Sequence, residues 1–142
     1  RWISKIISSA IKSYAEEKVL SGNWNQEESI GKAKEEYTRL LPKAEKTENN
    51  FLYTILNGDK AIGVIWLAQL SEKKGYIYDI YILDNYQGLG YAKEAMKQIE
   101  NVGQKLGMNK IGLHVFGHNK VARGLYDSLG YKTTNILMEK EI

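Results

Sequence analysis

Near residue 50 the spacing of the apolar residues changes period, and that change fixes which layers this chain can build. Up to residue 41 they recur every three to four positions. Ile3, Ile6, Ile7, Ala10, Ile11 and Tyr14 form one stripe, so residues 2–19 are predicted to be an amphipathic helix. After the loop SGNWNQEE, Asn25 can cap a second helix, with Glu28 three residues on. Ile30, Ala33, Tyr37, Leu40 and Leu41 mark its buried stripe, and Pro42 helps end it. Beyond the polar link KAEKTENN the pattern becomes that of strands. FLYTIL and AIGVIWLAQL meet at Asn57-Gly58, a strong hairpin signal, and SEKKG leads into YIYDIYIL, which makes an antiparallel meander of three strands.

The helical period then returns. Ala92, Ala95, Met96, Ile99, Val102 and Leu106 predict a long helix ending near Gly107, and Ile111 to Phe116 reads as a strand. Asn119 starts a short helix carrying Val121, Ala122, Leu125 and Leu129, and Gly130 ends it. The tail from Tyr131 to about Lys140 reads as a final strand or a bent pair. The order ααβββαβαβ, without repeats or a convincing linker, predicts one mixed α/β (α+β) domain over residues 1–142.

Bulk properties narrow the function classes. A chain of 142 residues can bury a core of its own, and the absence of cysteine excludes disulfides and thiolate metal sites. A reducing, cytoplasmic setting fits that composition. No run approaches the length of a spanning helix and no signal-peptide pattern opens the chain, so no membrane role is expected. The net charge is +3, with 9 basic and 8 acidic residues in 1–50, 3 and 3 in 51–83, and 8 and 6 in 84–142. No segment is a basic arm, which argues against a nucleic-acid partner.

Two stretches carry chemistry. In YQGLGYA, residues 86–92, Gly88 and Gly90 lie between a strand and a helix. The dinucleotide pattern GxGxxG fails because residue 93 is Lys, and the P-loop pattern is absent. The physical content survives, since a helix start offers unpaired N–H groups and partial positive charge, and glycines let a phosphate approach them. The plainer reading is a tight strand–helix turn. The second stretch, NKVARGLYDSLGY at 119–131, has the spacing N-x-x-A-x-x-L-Y-x-x-x-G-[FY] through Asn119, Ala122, Leu125, Tyr126, Gly130 and Tyr131.

Together, strand–QxxGxA–helix and NKVARGLYDSLGY resemble the GNAT superfamily of acetyl-coenzyme A-dependent N-acetyltransferases. The resemblance covers residues 51–140, the acetyl-CoA-binding core. It implies a central mixed, mostly antiparallel sheet flanked by helices, with residues 1–45 as variable substrate-side helices. Family members usually open with a strand that is not visible here, and the chain begins at Arg1 instead of Met, so a trimmed or unusual start is expected.

The resemblance implies roles residue by residue. Ile80, Tyr81 and Ile82 resemble the strand whose backbone pairs with the pantetheine arm, which has amides of its own and can mimic a strand. Gln87, Gly88, Leu89, Gly90, Tyr91, Ala92 and Lys93 resemble the pyrophosphate loop, with Gln87 where many relatives carry Arg and Ala92 in place of Gly. Asn119 resembles a side chain that bonds the cofactor arm, and can equally cap its helix. Tyr126 matches the tyrosine beside the thioester sulfur. A phenol with pKa about 10 stays protonated at neutral pH and can donate to a departing thiolate, whose thiol titrates near about 8.5.

The general base has two candidates, Asp79 and His114. Alternation places Tyr76, Tyr78, Ile80 and Ile82 on one face of YIYDIYIL, and Asp79 on the other with Ile77 and Tyr81. His114 lies on the strand before Asn119, on the face opposite Ile111, Leu113 and Val115. A structural Asp and a packed His are the plain alternatives, and His118 reads as solvated. No cluster has metal-ligand spacing, so no metal is expected, and direct transfer is favoured over an acyl-enzyme. Trp24 and the tyrosines at 76, 78, 81 and 86 could meet an amine acceptor through their rings or simply pack.

The expected function is transfer of acetyl from acetyl-CoA to a primary amine of a small molecule, peptide or protein by a monomer or homodimer. The alternatives are a non-catalytic acyl-CoA binding or sensing module of the same fold and a nucleotide-binding protein.

Overall fold

A computed structural model describes residues 2–142, with side chains described from Lys5 onward. Arg1 and the side chain of Ile3, on which two of the expectations above rest, lie outside the described residues. Helices α1 (Trp2–Leu20) and α2 (Gln26–Leu40) precede strands β1 (Asn50–Asn57), β2 (Lys60–Gln69) and β3 (Lys74–Ile82). Helix α3 (Tyr91–Lys105), strand β4 (Lys110–Leu113) and helix α4 (Lys120–Ser128) follow. The sheet order is β1-β2-β3-β4, antiparallel except for the β3–β4 pair.

The layers follow from β2. Residues 62–68 are all buried although their neighbours are antiparallel, so both faces of the strand are covered. Val64 packs with Ile6 and Ala10 of α1, while Ile65 and Leu67 pack with Met96 and Ile99 of α3. Leu67 and Met96 are fully buried, and burial of a side chain of that size contributes about 1.5–3 kcal/mol. The β1–β2 hairpin turns at Gly58-Asp59, one residue beyond the Asn57-Gly58 pair expected, because Asn57 still pairs with Lys60.

Helix α2 begins as expected, with Asn25 Oδ1 accepting the Glu28 N–H at 3.2 Å. Its buried stripe is displaced. Ser29 and Ala33 are inside, and Ile30 is 39% exposed, because α2 meets α1 through its smallest side chains. In α4, Val121 likewise faces solvent, and Ala122, Leu125, Tyr126 and the C-cap Leu129 are partly buried. The strand expected from Ile111 to Phe116 stops at Leu113. The final strand expected from Tyr131 to Lys140 does not form. No ladder joins it to β4, and Ile136, Leu137 and Met138 are 71%, 95% and 88% exposed. A segment that reads as a strand still needs a partner ladder, and without one it stays irregular.

Candidate active site

The early end of β4 creates the site. β3 pairs with β4 only from Lys74↔Lys110 to Ile77↔Leu113, yet continues to Ile82 in register with β2. From Tyr78 onward its second edge has no ladder partner, and the chain after Leu113 leaves the sheet. A cavity of about 490 Å³ occupies this split. Its walls come from α1, α2, residues 113–116 and α4, and β3 runs along it.

A bulge decides what β3 presents there. Trp66 faces Asp79 but the next residue, Leu67, faces Ile77, which leaves Tyr78 unpaired. The extra residue reverses the alternation. Ile77 and Ile80 therefore lie together on the α3 face, and Asp79 and Tyr81 lie with Tyr76 on the α1/α2 face. The expected grouping of Asp79 with Ile77, and of Tyr76 with Ile80, is corrected by this one residue.

Asp79 is consequently aimed at α2. The Tyr37 hydroxyl donates to Asp79 Oδ2 at 2.8 Å. Burial pushes the carboxyl up to about 7, against the opposing pull of the Tyr37 hydroxyl and the Ile80 N–H. Across the cavity the Tyr126 phenol has no hydrogen-bond partner among the described residues, and burial with the nearby Asp79 charge pushes it up to about 12. Its ring packs on the Ile65–Met96 core and lies 5.9 Å from Tyr131. His114 lines the same cavity, edge-on to Phe116 at 4.8 Å, and burial together with the Lys18 charge lowers its pKa.

The α1/α2 wall is aromatic. Tyr14, Tyr37, Trp66, Tyr78 and Tyr76 follow one another with ring centroids 4.7 to 6.1 Å apart. The Lys18 ammonium sits 5.2 Å from the Trp24 ring and 5.7 Å from that of Tyr14. Trp24 itself is not part of the cavity wall. His118, expected to be solvated, lies 2.7 Å from Glu17 Oε2. Among the described residues no group of three or more His, Asp or Glu is placed to hold a metal ion, and no helix is long and apolar enough to cross a membrane.

The glycine turn opens α3 in an unusual way. Gly88 and Gly90 have φ of +76° and +90°, the left-handed region that glycine enters without strain. A Cβ on either would meet nothing within 4 Å, so the space above them is open. Gly90 is the N-cap and no side chain caps the helix, so the N–H groups of its first turn stay free for a ligand. An acidic group such as a pyrophosphate fits this cradle. The Gln87 side chain is committed elsewhere, donating to Ile82 O at 2.7 Å and tying the turn to the end of β3.

The family model described as Acetyltransferase (GNAT) family matches residues 17–131. The chain belongs to that family. It is 35% identical over 135 residues to the uncharacterized N-acetyltransferase YycN of Bacillus subtilis, covering 92% of this chain and 86% of the relative. The crystal structure of YycN superposes with a TM-score of 0.90 at 33% identity, over 99% of this chain and 94% of that one. The fold alone is shared with the aminoglycoside N-acetyltransferase AAC(6')-Iy in complex with CoA, at TM-score 0.59 and 14% identity over 76% of this chain and 89% of that one.

Within this GNAT chain, Asp79, His114, Asn119, Tyr126, Ile80 and Tyr81 line a single cavity. Ile82 ends the free edge with its side chain buried, and residues 87–90 form the separate turn that leads into the first turn of α3 at Tyr91, Ala92 and Lys93. Asn119 caps α4, its Oδ1 accepting the Ala122 N–H at 3.0 Å, which leaves its amide N–H groups without a partner among the described residues. Tyr37 escaped the sequence reading, which took it for core. The available signal was a tyrosine in an otherwise apolar stripe, a residue that brings a hydroxyl needing a partner.

Proposed function

We propose that the protein moves an acetyl group from acetyl-CoA to a primary amine of a small molecule, peptide or protein by direct attack. One observation carries this reading. A carboxyl raised toward neutrality and a phenol held protonated, Asp79 and Tyr126, line one cavity at the split of the sheet. The open turn of Gly88 and Gly90 and the unpaired edge of β3 suit the pyrophosphate and the amide arm of the donor.

When bound, acetyl-CoA supplies an acyl group activated as a thioester. Asp79, with a pKa near the working pH, takes a proton from the incoming amine. Backbone N–H groups on the free edge of β3, towards Ile82, stabilise the charge that develops on the carbonyl oxygen. The C–N bond forms as the C–S bond breaks, and Tyr126 gives its proton to the departing sulfur. His114, lowered and therefore neutral at pH 7, is the competing base, but among the described residues no hydrogen bond orients its ring. Support for an amine acceptor comes from the family's named N-acetyltransferases.

The test is a panel of amines incubated with acetyl-CoA and the protein, read as released thiol. Amine-dependent release is expected. A protein whose melting temperature acetyl-CoA raises, but which releases no thiol with any amine, is a binding module instead.

A further inference from the structure

We propose that Tyr37 is a positioning residue for this reaction, its hydroxyl on α2 holding the Asp79 carboxylate oriented and ionised as the base. The inference rests on the reading of Asp79 as that base. The two residues are 42 positions apart, and the 2.8 Å bond between them joins α2 to the bulged segment of β3. The Tyr37 ring is held in place by Trp66 at 5.5 Å and Tyr14 at 6.1 Å, so its hydroxyl has little freedom to seek water.

Among the described residues no other side chain does this for Asp79. On β2 the Trp66 indole N–H is spent on Asn50 Oδ1 at 2.7 Å. From α1, the Tyr14 hydroxyl donates to Glu36 Oε2 at 2.5 Å, and the Lys18 ammonium lies over aromatic rings. Tyr81 on the same strand and Tyr126 from α4 face the carboxyl as neutral phenols. Arg39 on α2, Glu17 on α1 and His114 after β4 line the cavity without bonding it. Burial favours the protonated acid, and a hydroxyl that donates to the ionised oxygen opposes it. Among the described residues Tyr37 is the one side chain that supplies such a donor. Glu36, next to it on α2, accepts from α1, so two tyrosine–carboxyl bonds fix this stretch of α2 between α1 and the sheet.

Tyr37→Phe keeps the ring and removes the donor. With acceptor and donor saturating, the acidic limb of the kcat–pH profile is expected to move up by about one pH unit. Turnover at pH 6 then falls about tenfold and recovers above pH 9. A residue that only supports the fold would lower kcat at every pH. NMR of ¹³C-labelled aspartate gives a second readout without turnover, and the Asp79 titration should shift upward by the same amount in Tyr37→Phe. If Asp79→Asn abolishes the limb while Tyr37→Phe leaves it and the NMR titration in place, this inference is wrong and the base reading stands. If the limb persists in Asp79→Asn, the base reading falls and the inference with it.

Discussion

Replacing Asp79 with Asn should make the protein more stable at the same time as it inactivates it. The carboxyl titrates near 3.8 in an unstructured chain and is pushed up to about 7 in the fold. Between those values the unfolded state has released its proton and the folded state has not, so stability is fully present below pH 4, falls as the pH rises, and levels off above 7. At 1.36 kcal/mol per pH unit, a gap of about three units corresponds to roughly 4 kcal/mol lost by pH 8, an upper value because Asp79 keeps some exposure. Asn cannot ionise, and its Oδ1 can still accept the Tyr37 hydroxyl. Melting curves of the two proteins from pH 4 to 9 should therefore coincide at the acid end and separate steadily, by up to about 12 °C at pH 8. Turnover of the variant should fall by about 10²-fold or more. A melting difference that does not change with pH, or a variant less stable at pH 8, would refute the claim that this carboxyl is held against its own ionisation.

Other consequences are as direct. Tyr126→Phe should lower kcat by about 10²-fold in the thiol-release assay, the lower end for a general acid because a thiolate leaves readily. Its melting temperature should stay within a degree or so of the parent, since the hydroxyl has no partner to lose among the described residues. Gly90→Ala forces a side chain into φ of +90° and places a methyl over the free N–H groups of α3. The KM for acetyl-CoA should rise about tenfold with kcat nearly unchanged, the pattern of lost ground-state binding; an unchanged KM would show that the donor does not use this turn.

What could be read from the sequence was whatever depends on residues close in the chain. The Asn25 cap, the β1–β2 hairpin and the Gly90 helix start each involve a few consecutive positions, and each stands where the sequence placed it or, for the hairpin turn, one residue further on. What escaped depends on distant partners. Nothing near residue 37 points to residue 79, and alternation cannot show that one residue of β3 goes unpaired. A different sorting would have shown it. Ile77, Ile80 and Ile82 on one side and Tyr76, Asp79 and Tyr81 on the other separate apolar from polar cleanly only if the phase slips at Tyr78. The tail failed in the opposite direction, since a segment that reads as a strand says that it can join a sheet and nothing about whether an edge meets it.

Tyr78 makes the chemistry of β3 a matter of parity. Keeping that residue but pressing it into the ladder opposite Leu67 would restore an even count with β2 and leave Asp79 and everything after it unaltered. Read toward the helix that follows, Asp79 and Tyr81 would keep their side. Read back toward β4, Ile77 and Tyr76 would exchange places, sending an isoleucine into the aromatic wall and a tyrosine into the apolar core. The two ends of the strand answer to different layers, and the spare residue is what lets each keep its own count. A related chain one residue shorter at this point would therefore keep the same faces on a flat ladder, whereas one of equal length without the bulge would turn over the residues that precede it.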